Sequence, residues 1–422
     1  MNVMNTTSDY PLSAVPADQR KGMWSMMSVL LGFTFFTSTM WAGGTLGSAF
    51  SFYEMLAIIL IGNALLGIYA AALAYIACKT GLNTVLLGRY SFGLNGSKLS
   101  DFVLGFTQIG WYAWGTATIA LILVKLLELP ESWTVPLMVV FGFGFCISAS
   151  IGYKALELLS KISVPAMLFF IGLSFYKGLI DVGGIGELIS KQPSDSMPVA
   201  AAITLVFGTF VSGGTQATNW SRFAKNGKVA VLTTLAAFFV GNGLMVFVGA
   251  FGASIYQQSD IVDVLVSQGF MLAAVLMLFT NIWTTQDNTI YNFAAAGCNI
   301  LRTDKRRLIT WIGAAIGTAM AIMGMYNMLI PFLILLGTFI PPIGAIIMTD
   351  FWVKYRTQMP DLATANLPKY NWSGLLAYAI GSGCAYFSPW VAPLIGILVS
   401  AASYTLLLSL SGAKQRAMQS AQ

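Results

Sequence analysis

Gln108 and Trp111 lie three residues apart in the apolar stretch GFTQIGWYAW, residues 105–114, so they share one face of a helix. An amide is costly to bury in lipid unless it is paired, and an indole offers a flat apolar face with one donor. The pair suits a small, planar, polar ligand whose ring stacks on Trp111 while Gln108 binds its edge. A hydrogen bond from Gln108 to a neighbouring helix, with Trp111 as packing, explains the same residues equally well.

The polar run TNIWTTQDNTIYN, residues 280–292, contains adjacent hydroxyls at Thr284 and Thr285. Hard cations such as sodium prefer oxygen ligands, including carbonyls freed by an unwound helix. Either both hydroxyls hold one ion near a helix distortion, or one faces a partner helix while the other points aside. Asp287, an intramembrane carboxylate expected close to the inner boundary, is assigned a structural or gating role.

Two apolar segments are interrupted by glycines and polar residues. One is FGTFVSGGTQATNW, residues 207–220, and the other is GFTFFTSTMWAGGTLGS, residues 32–48. A broken helix is tolerated at membrane depth only where it is buried in protein or lines a cavity. Two such segments at matching positions of two halves indicate the midplane site of a secondary transporter. Close packing of helices through small residues is the alternative.

The composition is that of a membrane protein. Of 422 residues, 57% are hydrophobic and 9% are charged, against about 25% charged in an average soluble domain. The absence of histidine excludes imidazole metal ligands, haem ligation through histidine and histidine proton relays. The four scattered cysteines are expected to be reduced packing residues. Residues 1–21 lack the apolar core of a cleavable signal.

The hydrophobic pattern predicts an all-α integral membrane protein with twelve transmembrane helices and both termini in the cytoplasm. In this orientation Lys177 and Lys191 are the only basic residues in the outer loops, so the positive-inside rule supports the orientation. The same distribution explains the net charge of +6 without nucleic-acid binding. The predicted spans 1 to 12 are residues 23–49, 52–77, 99–127, 133–153, 156–177, 198–220, 229–253, 263–290, 309–328, 329–353, 371–389 and 391–411.

The two interrupted segments are spans 1 and 6, which predicts a five-plus-five inverted repeat with broken helices 1 and 6. Span 10 contains Pro341 and Pro342, which are expected to act either as a hinge or only as a kink. The predicted units are tail 1–22, repeat 1 at 23–178, repeat 2 at 198–356, helices 11 and 12 at 371–411 and tail 412–422.

Other functional classes find little support. No nucleophile–base pair, metal cluster or phosphate loop is visible, which argues against an enzyme. The scarcity of midplane carboxylates and the lack of histidine argue against proton coupling. A channel is the remaining alternative, and it would require a continuous pore.

Nine sequence blocks in order resemble the nucleobase:cation symporter-1 family, and within it the bacterial cytosine permeases. The resemblance extends from about residue 20 to span 12. It implies a leucine-transporter-like fold that works by alternating access and imports cytosine with sodium. The blocks are GFTFFTSTMWAGGTLG, IGNALLGIY, KTGL, RYSFG, TQIGW, SRF, FFVGN, NIWTTQDN and IPPIG.

The resemblance implies roles for individual residues. The base is held between Trp111 and Phe210 and hydrogen-bonds to Gln108. Further contacts to the base come from positions near the break of span 6, and the sodium ligands are carbonyls and hydroxyls of spans 1 and 8. The additional substrate positions are Thr209, Ser212, Gly213 and Gln286, and the sodium positions are Gly32, Phe35, Asn281, Thr284 and Thr285.

Three positions depart from the resemblance: Thr209, Gln286 and Asn219 stand where serine, asparagine and aspartate are expected. One methylene changes discrimination by about 1–3 kcal/mol, so the substrate is alternatively a purine, uracil, hydroxymethylpyrimidine, hydantoin or allantoin, taken with sodium or protons. The expected partners are a nucleobase, sodium and the lipid bilayer, without nucleic acid. The protein is expected to act as a monomer in the bacterial inner membrane.

Overall fold

The computed structural model describes residues 10–420, with side chains at 329–331, 334 and 412–420 left out. Parts of the two predicted tails, residues 1–9 and 421–422, lie outside the described residues. The α-helices are α1 (Met23–Thr34), α2 (Thr37–Ala49), α3 (Phe52–Thr80), α4 (Thr84–Phe92), α5 (Ser97–Leu126), α6 (Thr134–Gly144), α7 (Cys146–Ile151), α8 (Tyr153–Asp181), α9 (Ile185–Ser190), α10 (Val199–Thr215), α11 (Thr218–Ser221), α12 (Gly227–Leu235), α13 (Asn242–Tyr256), α14 (Ile261–Ser267), α15 (Met271–Leu301), α16 (Arg306–Ile322), α17 (Leu329–Phe339), α18 (Pro341–Thr349), α19 (Trp372–Phe387) and α20 (Ala392–Ser420).

The helices follow the predicted spans. Within the described residues, eight helices are long and apolar enough to cross a membrane, and a ninth results if α1 and α2 form one bent span. Predicted span 8, residues 263–290, is offset from the structure, because α14 ends at Ser267 and α15 runs from Met271 to Leu301. Predicted spans 9 and 11 correspond to α16 and α19, which are short for a span, and α15 contains the polar run of residues 280–292. The all-α membrane fold is confirmed, whereas the number of crossings and the domain boundaries stay predictions.

Local sequence determines where several helices begin and end. Ser51 and Glu54 form a capping box at the start of α3. The same helix ends at Gly81, whose φ of 72° is left-handed and therefore favours glycine. The side chain of Asn83 then accepts a hydrogen bond from the Leu86 N–H at 2.9 Å and caps α4. These caps determine where α3 begins and ends and where α4 begins.

Span 1 is broken at two phenylalanines. The helices α1 and α2 meet at 58°, and Phe35 and Phe36 between them are non-helical. The glycines of α2 serve a different purpose, because a Cβ on Gly43 would overlap the Val246 carbonyl and a Cβ on Gly249 would overlap the Met40 carbonyl. Close helix packing therefore explains the glycines of α2, whereas the helix is interrupted before them, at Phe35 and Phe36.

Span 6 also departs from a regular helix upstream of its glycines. Phe210 has φ −132° and ψ 16° inside α10, which continues to Thr215. The chain then makes a turn into the short α11. Gly213 is packed against aromatic rings, since a Cβ there would lie 2.7 Å from the Phe33 ring and 2.8 Å from the Phe210 ring. The distortion thus turns Phe210 and its neighbours toward span 1.

In span 10 the two prolines mark a helix start. Pro341 and Pro342 occupy the first two positions of α18, where a missing N–H removes no intrahelical hydrogen bond. Gly344 follows on the face toward α3, where a Cβ would overlap the Tyr69 hydroxyl. The chain therefore changes helix at Ile340 at no hydrogen-bonding cost.

The long helices α5 and α15 form the frame that carries the polar residues of spans 3 and 8. The Gln286 Nε2 donates to the Tyr112 carbonyl at 2.6 Å, and the Asn299 amide donates to the Asp101 carboxylate. The Arg89 Nε of α4 also donates to the Asn299 Oδ1 at 2.9 Å. Burial and the nearby Arg302 lower the pKa of Arg89 to about 10, so this arginine remains a cation at neutral pH.

Candidate functional site

Gln108 and Trp111 face the distorted part of span 6. Both side chains are buried, and the Trp111 Nε1 donates to the Ser212 Oγ at 3.2 Å. The expected helix face is therefore present, and it is directed at α10. This arrangement brings together residues more than 100 positions apart in the sequence.

Six predicted substrate residues line one cavity of about 10 Å³. Thr285, a predicted sodium position, lines the same cavity. The cavity is also lined by Phe33, Phe36 and Thr289, which the sequence did not predict. Each of the two phenylalanines is adjacent to a predicted sodium position. The six are Gln108, Trp111, Thr209, Phe210, Ser212 and Gly213.

Aromatic rings from four spans enclose this cavity. The centroid of the Trp111 ring lies 5.8 Å from that of Phe36 and 5.3 Å from that of Phe332 in α17. The Phe210 ring lies 5.0 Å from Phe33 at an interplanar angle of 87°. A volume of about 10 Å³ holds roughly one water molecule, so a heterocycle enters only when these rings separate.

The polar groups at the cavity differ in how far they are satisfied. Thr209 donates to the Val206 carbonyl at 2.7 Å and accepts from the Asn242 Nδ2 at 2.9 Å. Thr289 donates to the Thr285 carbonyl at 2.7 Å. Among residues 10–420, the buried Gln108 Nε2 finds no hydrogen-bond partner. Gln108 is thus the amide available to a ligand.

Oxygen atoms converge where span 1 is broken. The Thr285 Oγ1 lies 3.3 Å from each of three carbonyl oxygens, those of Phe33, Phe35 and Asn281. Neutral carbonyl and hydroxyl oxygens between a broken helix and an intact one are a donor set that fits sodium. Clusters of three or more histidine, cysteine or acidic side chains, which suit transition metals, do not occur in residues 10–420.

The predicted sodium positions are not equally close to this centre. Thr284 donates within its own helix, to the Thr280 carbonyl at 2.8 Å and the Asn281 carbonyl at 3.2 Å. Gly32 lies on the face of α1 that packs against Ser160, where a Cβ would overlap the serine side chain. The Phe33 carbonyl, by contrast, contacts Thr285 and was missed, because the sequence does not reveal which carbonyls an unwound turn releases.

Gln286 does not reach the cavity. Its amide donates to the Tyr112 carbonyl at 2.6 Å, and its side chain fills the space above Gly115. Neighbouring residues of a helix point about 100° apart, so the residue after Thr285 faces α5 and not span 6. The structure therefore places Gln286 at a helix–helix contact.

Beside Trp220 the cavity is closed by aromatic and backbone contacts. The Phe33 and Trp220 rings are 4.6 Å apart. Lys21 pairs with the chain after span 6 through a parallel β-bridge to Ala224. The Arg222 Nη1 donates to the Tyr10 carbonyl at 2.6 Å. The segment before span 1 thus lies across the C-terminal end of span 6.

Comparison with known sequences identifies relatives along the whole chain. The chain is 38% identical to the cytosine permease of Escherichia coli K12 over 404 residues, which is 96% of this chain and 95% of the relative. It is 20% identical to the hydantoin permease of Microbacterium maritypicum, covering 91% and 85% of the two chains. It is 22% identical to the allantoin permease of Bacillus subtilis, covering 93% and 92%.

Solved structures share the fold. The nucleobase-cation-symport-1 transporter Mhp1 in a closed conformation matches with a TM-score of 0.86 at 17% identity, covering 97% of this chain and 96% of the other. A sodium-coupled sialic acid symporter matches with a TM-score of 0.67 at 12% identity, covering 96% and 93%. A model of the permeases for cytosine/purines, uracil, thiamine and allantoin matches residues 14–408. The chain therefore belongs to this permease family, and it is a multi-pass membrane transporter and not an enzyme.

Proposed function

We propose that the protein is a sodium-coupled symporter that imports cytosine by alternating access. The observation that carries the proposal is the position of Thr285. Its side chain lines the cavity beside Gln108 and Trp111, and its hydroxyl lies among carbonyls of both span 1 and span 8. A ligand and an ion at these positions would contact the same residue.

In this mechanism the heterocycle stacks between Trp111 and Phe210 while Gln108 binds its edge. Ser212, Thr209 and Gly213 border the ring. The flat rings supply dispersion and stacking, whereas the amide distinguishes one edge of the ring from another. Gln286 has no part in this pocket.

Sodium, the co-transported substrate, would be held by the carbonyls of Phe35 and Asn281 and by the Thr285 hydroxyl, with Gly32 and Thr284 as the remaining expected positions. Bound there, it would join the broken span 1 to the α15 scaffold. Since a ligand shifts a conformational equilibrium only by its differential affinity, sodium and cytosine must each strengthen the binding of the other.

The same proposal places the protein in the bacterial inner membrane with both termini in the cytoplasm, acting as a monomer. Spans 1–5 and 6–10, residues 23–178 and 198–356, are the two inverted repeats. Helices 11 and 12 lie beside them. The arrangement of α5 against α15, which are the third helix of each repeat, is consistent with this division.

Uptake of radiolabelled cytosine into proteoliposomes tests the proposal. An inward sodium gradient is expected to concentrate cytosine inside, and unlabelled cytosine is expected to compete better than uracil, adenine, hydantoin or hydroxymethylpyrimidine. Sodium-driven uptake with a different best competitor would retain the coupling and replace the substrate. Uptake that ignores sodium and follows a pH gradient would refute the ion site.

A further inference from the structure

Asp260 is a buried carboxylate in the segment between α13 and α14. Its side chain is 5% exposed, and its Oδ1 accepts a hydrogen bond from the Val262 N–H at 2.8 Å, which caps α14. Its Oδ2 accepts a hydrogen bond from the Thr37 Oγ1 at 2.8 Å. Thr37 is the first residue of α2, so the carboxylate joins α14 to the half of span 1 that follows the break.

The contacts of Thr37 continue to the proposed sodium ligands. The Thr37 N–H donates to the Asn281 Oδ1 at 2.9 Å. The Asn281 carbonyl lies 3.3 Å from the Thr285 Oγ1, which also lies 3.3 Å from the Phe35 carbonyl. Phe35 is only two residues before Thr37. Thr37 therefore connects the carboxylate to both segments that supply the proposed carbonyl ligands.

Asp260 forms no ion pair within residues 10–420. The Lys125 ammonium is close enough to interact with it electrostatically, but it pairs with the Asp263 carboxylate at 2.7 Å. A buried carboxylate without a counter-charge is costly, although hydrogen bonds and the N-terminus of a helix such as α2 reduce the cost.

The proposed sodium site has the opposite need. Its oxygens are those of carbonyls and a hydroxyl, and all of them are neutral. The path from the carboxylate through Thr37 to these oxygens is on the order of 10 Å long. At that separation and an effective dielectric constant of about 20, the attraction between two unit charges changes an affinity by about tenfold.

We propose that Asp260 is a positioning residue of the sodium site, which supplies the negative charge that the ligands lack and acts on the ion across Thr37. This inference rests on the proposed sodium coupling. It goes beyond that coupling by assigning the charge of the site to a residue that is neither a ligand nor part of the cavity lining.

Asp260→Asn tests the role of the charge, because asparagine keeps the size, caps α14 through its oxygen and bonds Thr37 through its amide. Purified full-length protein is titrated with sodium chloride at constant pH and ionic strength, with choline replacing sodium. The rise in the midpoint of thermal unfolding reports sodium binding without any transport. The sodium concentration that gives half of the maximal rise is expected to increase about tenfold.

The dissociation constant of cytosine, measured in saturating sodium, separates a weaker sodium site from a damaged fold. Once the ion is bound, its coupling to the substrate is complete. The constant of the Asp260→Asn variant should therefore stay within about twofold of the wild-type value.

Asp263→Asn is the matched control, since it removes one negative charge from the same segment. Its carboxylate is partly exposed and paired with Lys125, so solvent screens the charge and the half-saturating sodium concentration should not change. Asp260→Ser is the second test variant, because serine also caps a helix but carries no charge. It is expected to weaken sodium binding like Asp260→Asn, and it decides the question if that variant does not fold.

The outcomes also separate the inference from the function on which it rests. Neutral variants that bind sodium like the wild-type protein would reduce Asp260 to a helix cap and overturn the inference alone. The same follows if Asp263→Asn has an equal effect, or if the Asp260 variants weaken cytosine in saturating sodium as much as they weaken sodium. Wild-type protein that gains no stability from sodium would overturn the proposed coupling and the inference together.

Discussion

At the scale of the residue, Thr285 connects the two proposed ligand sites. Its hydroxyl lies 3.3 Å from the Phe33, Phe35 and Asn281 carbonyls, and its side chain also borders the cavity that contains Trp111. Thr284, its neighbour, donates only along its own helix. Of the two alternatives that the sequence left open for this pair, the geometry favours one hydroxyl facing span 1 while the other points aside.

Thr285→Val tests this distinction, because valine keeps the shape and removes the oxygen. The sodium concentration for half-maximal cytosine uptake is expected to rise about tenfold, which corresponds to about 1.4 kcal/mol. Thr280→Val, one turn away and bonded to the Leu276 carbonyl, should leave the sodium dependence unchanged. Equal effects of the two substitutions would contradict a sodium site at Thr285.

At the scale of the element, the second half of span 1, α2, packs on span 7 through backbone contacts. The glycines that make this contact include Gly43 and Gly47 of α2 and Gly249 of α13. A Cβ at Gly43 or Gly249 would overlap a carbonyl of the facing helix, and at Gly47 it would lie 2.6 Å from the Ala250 carbonyl. Because backbone yields less than a flexible side chain, this pair of helices should behave as one unit.

Gly43→Ala is therefore expected to lower the thermal stability of the purified protein, since overpacking costs about 1–3 kcal/mol. Gly172→Ala in α8 is the control, because a Cβ there meets nothing within 4 Å and alanine is the better helix former. Its midpoint of thermal unfolding should stay the same or rise. A Gly43 variant as stable as this control would show that the two helices separate easily.

At the scale of the whole molecule, the proposed cytoplasmic seal is made by segments distant in sequence. Residues before span 1 pair with the chain after span 6, and the Arg20 Nη1 donates to the Cys78 carbonyl at 2.6 Å. Arg222 holds the Asn219 carbonyl and the Tyr10 carbonyl together. In the proposed alternating-access mechanism, opening toward the cytoplasm requires these contacts to break.

Cys78 of α3 reports on that seal, because its buried thiol lies against the Ala224 carbonyl. Arg222→Gln, in a Cys384→Ser background that removes the exposed cysteine, is expected to increase maleimide labelling of Cys78 severalfold. The exposed Arg307 supplies the control substitution Arg307→Gln, which should not change labelling. Unchanged labelling in the Arg222 variant would place the inner seal elsewhere.

The sequence by itself determined the all-helical membrane class and the shared face of Gln108 and Trp111, and it located most of the long helices. These properties follow from composition and from the period of a single helix, both of which are local. The motif blocks likewise sufficed to recognise the family. The same local information placed the distortions in spans 1 and 6 without locating them to the residue.

Only the tertiary structure decided which neighbours these residues meet. It moved the break of span 1 to Phe35 and Phe36, assigned the glycines of α2 to packing, and turned Gln286 away from the cavity. It also joined Asn292 to Gln108 across two helices. The physical reason is that the register and rotation of one helix against another depend on contacts between distant segments, which the periodicity of either segment alone does not contain.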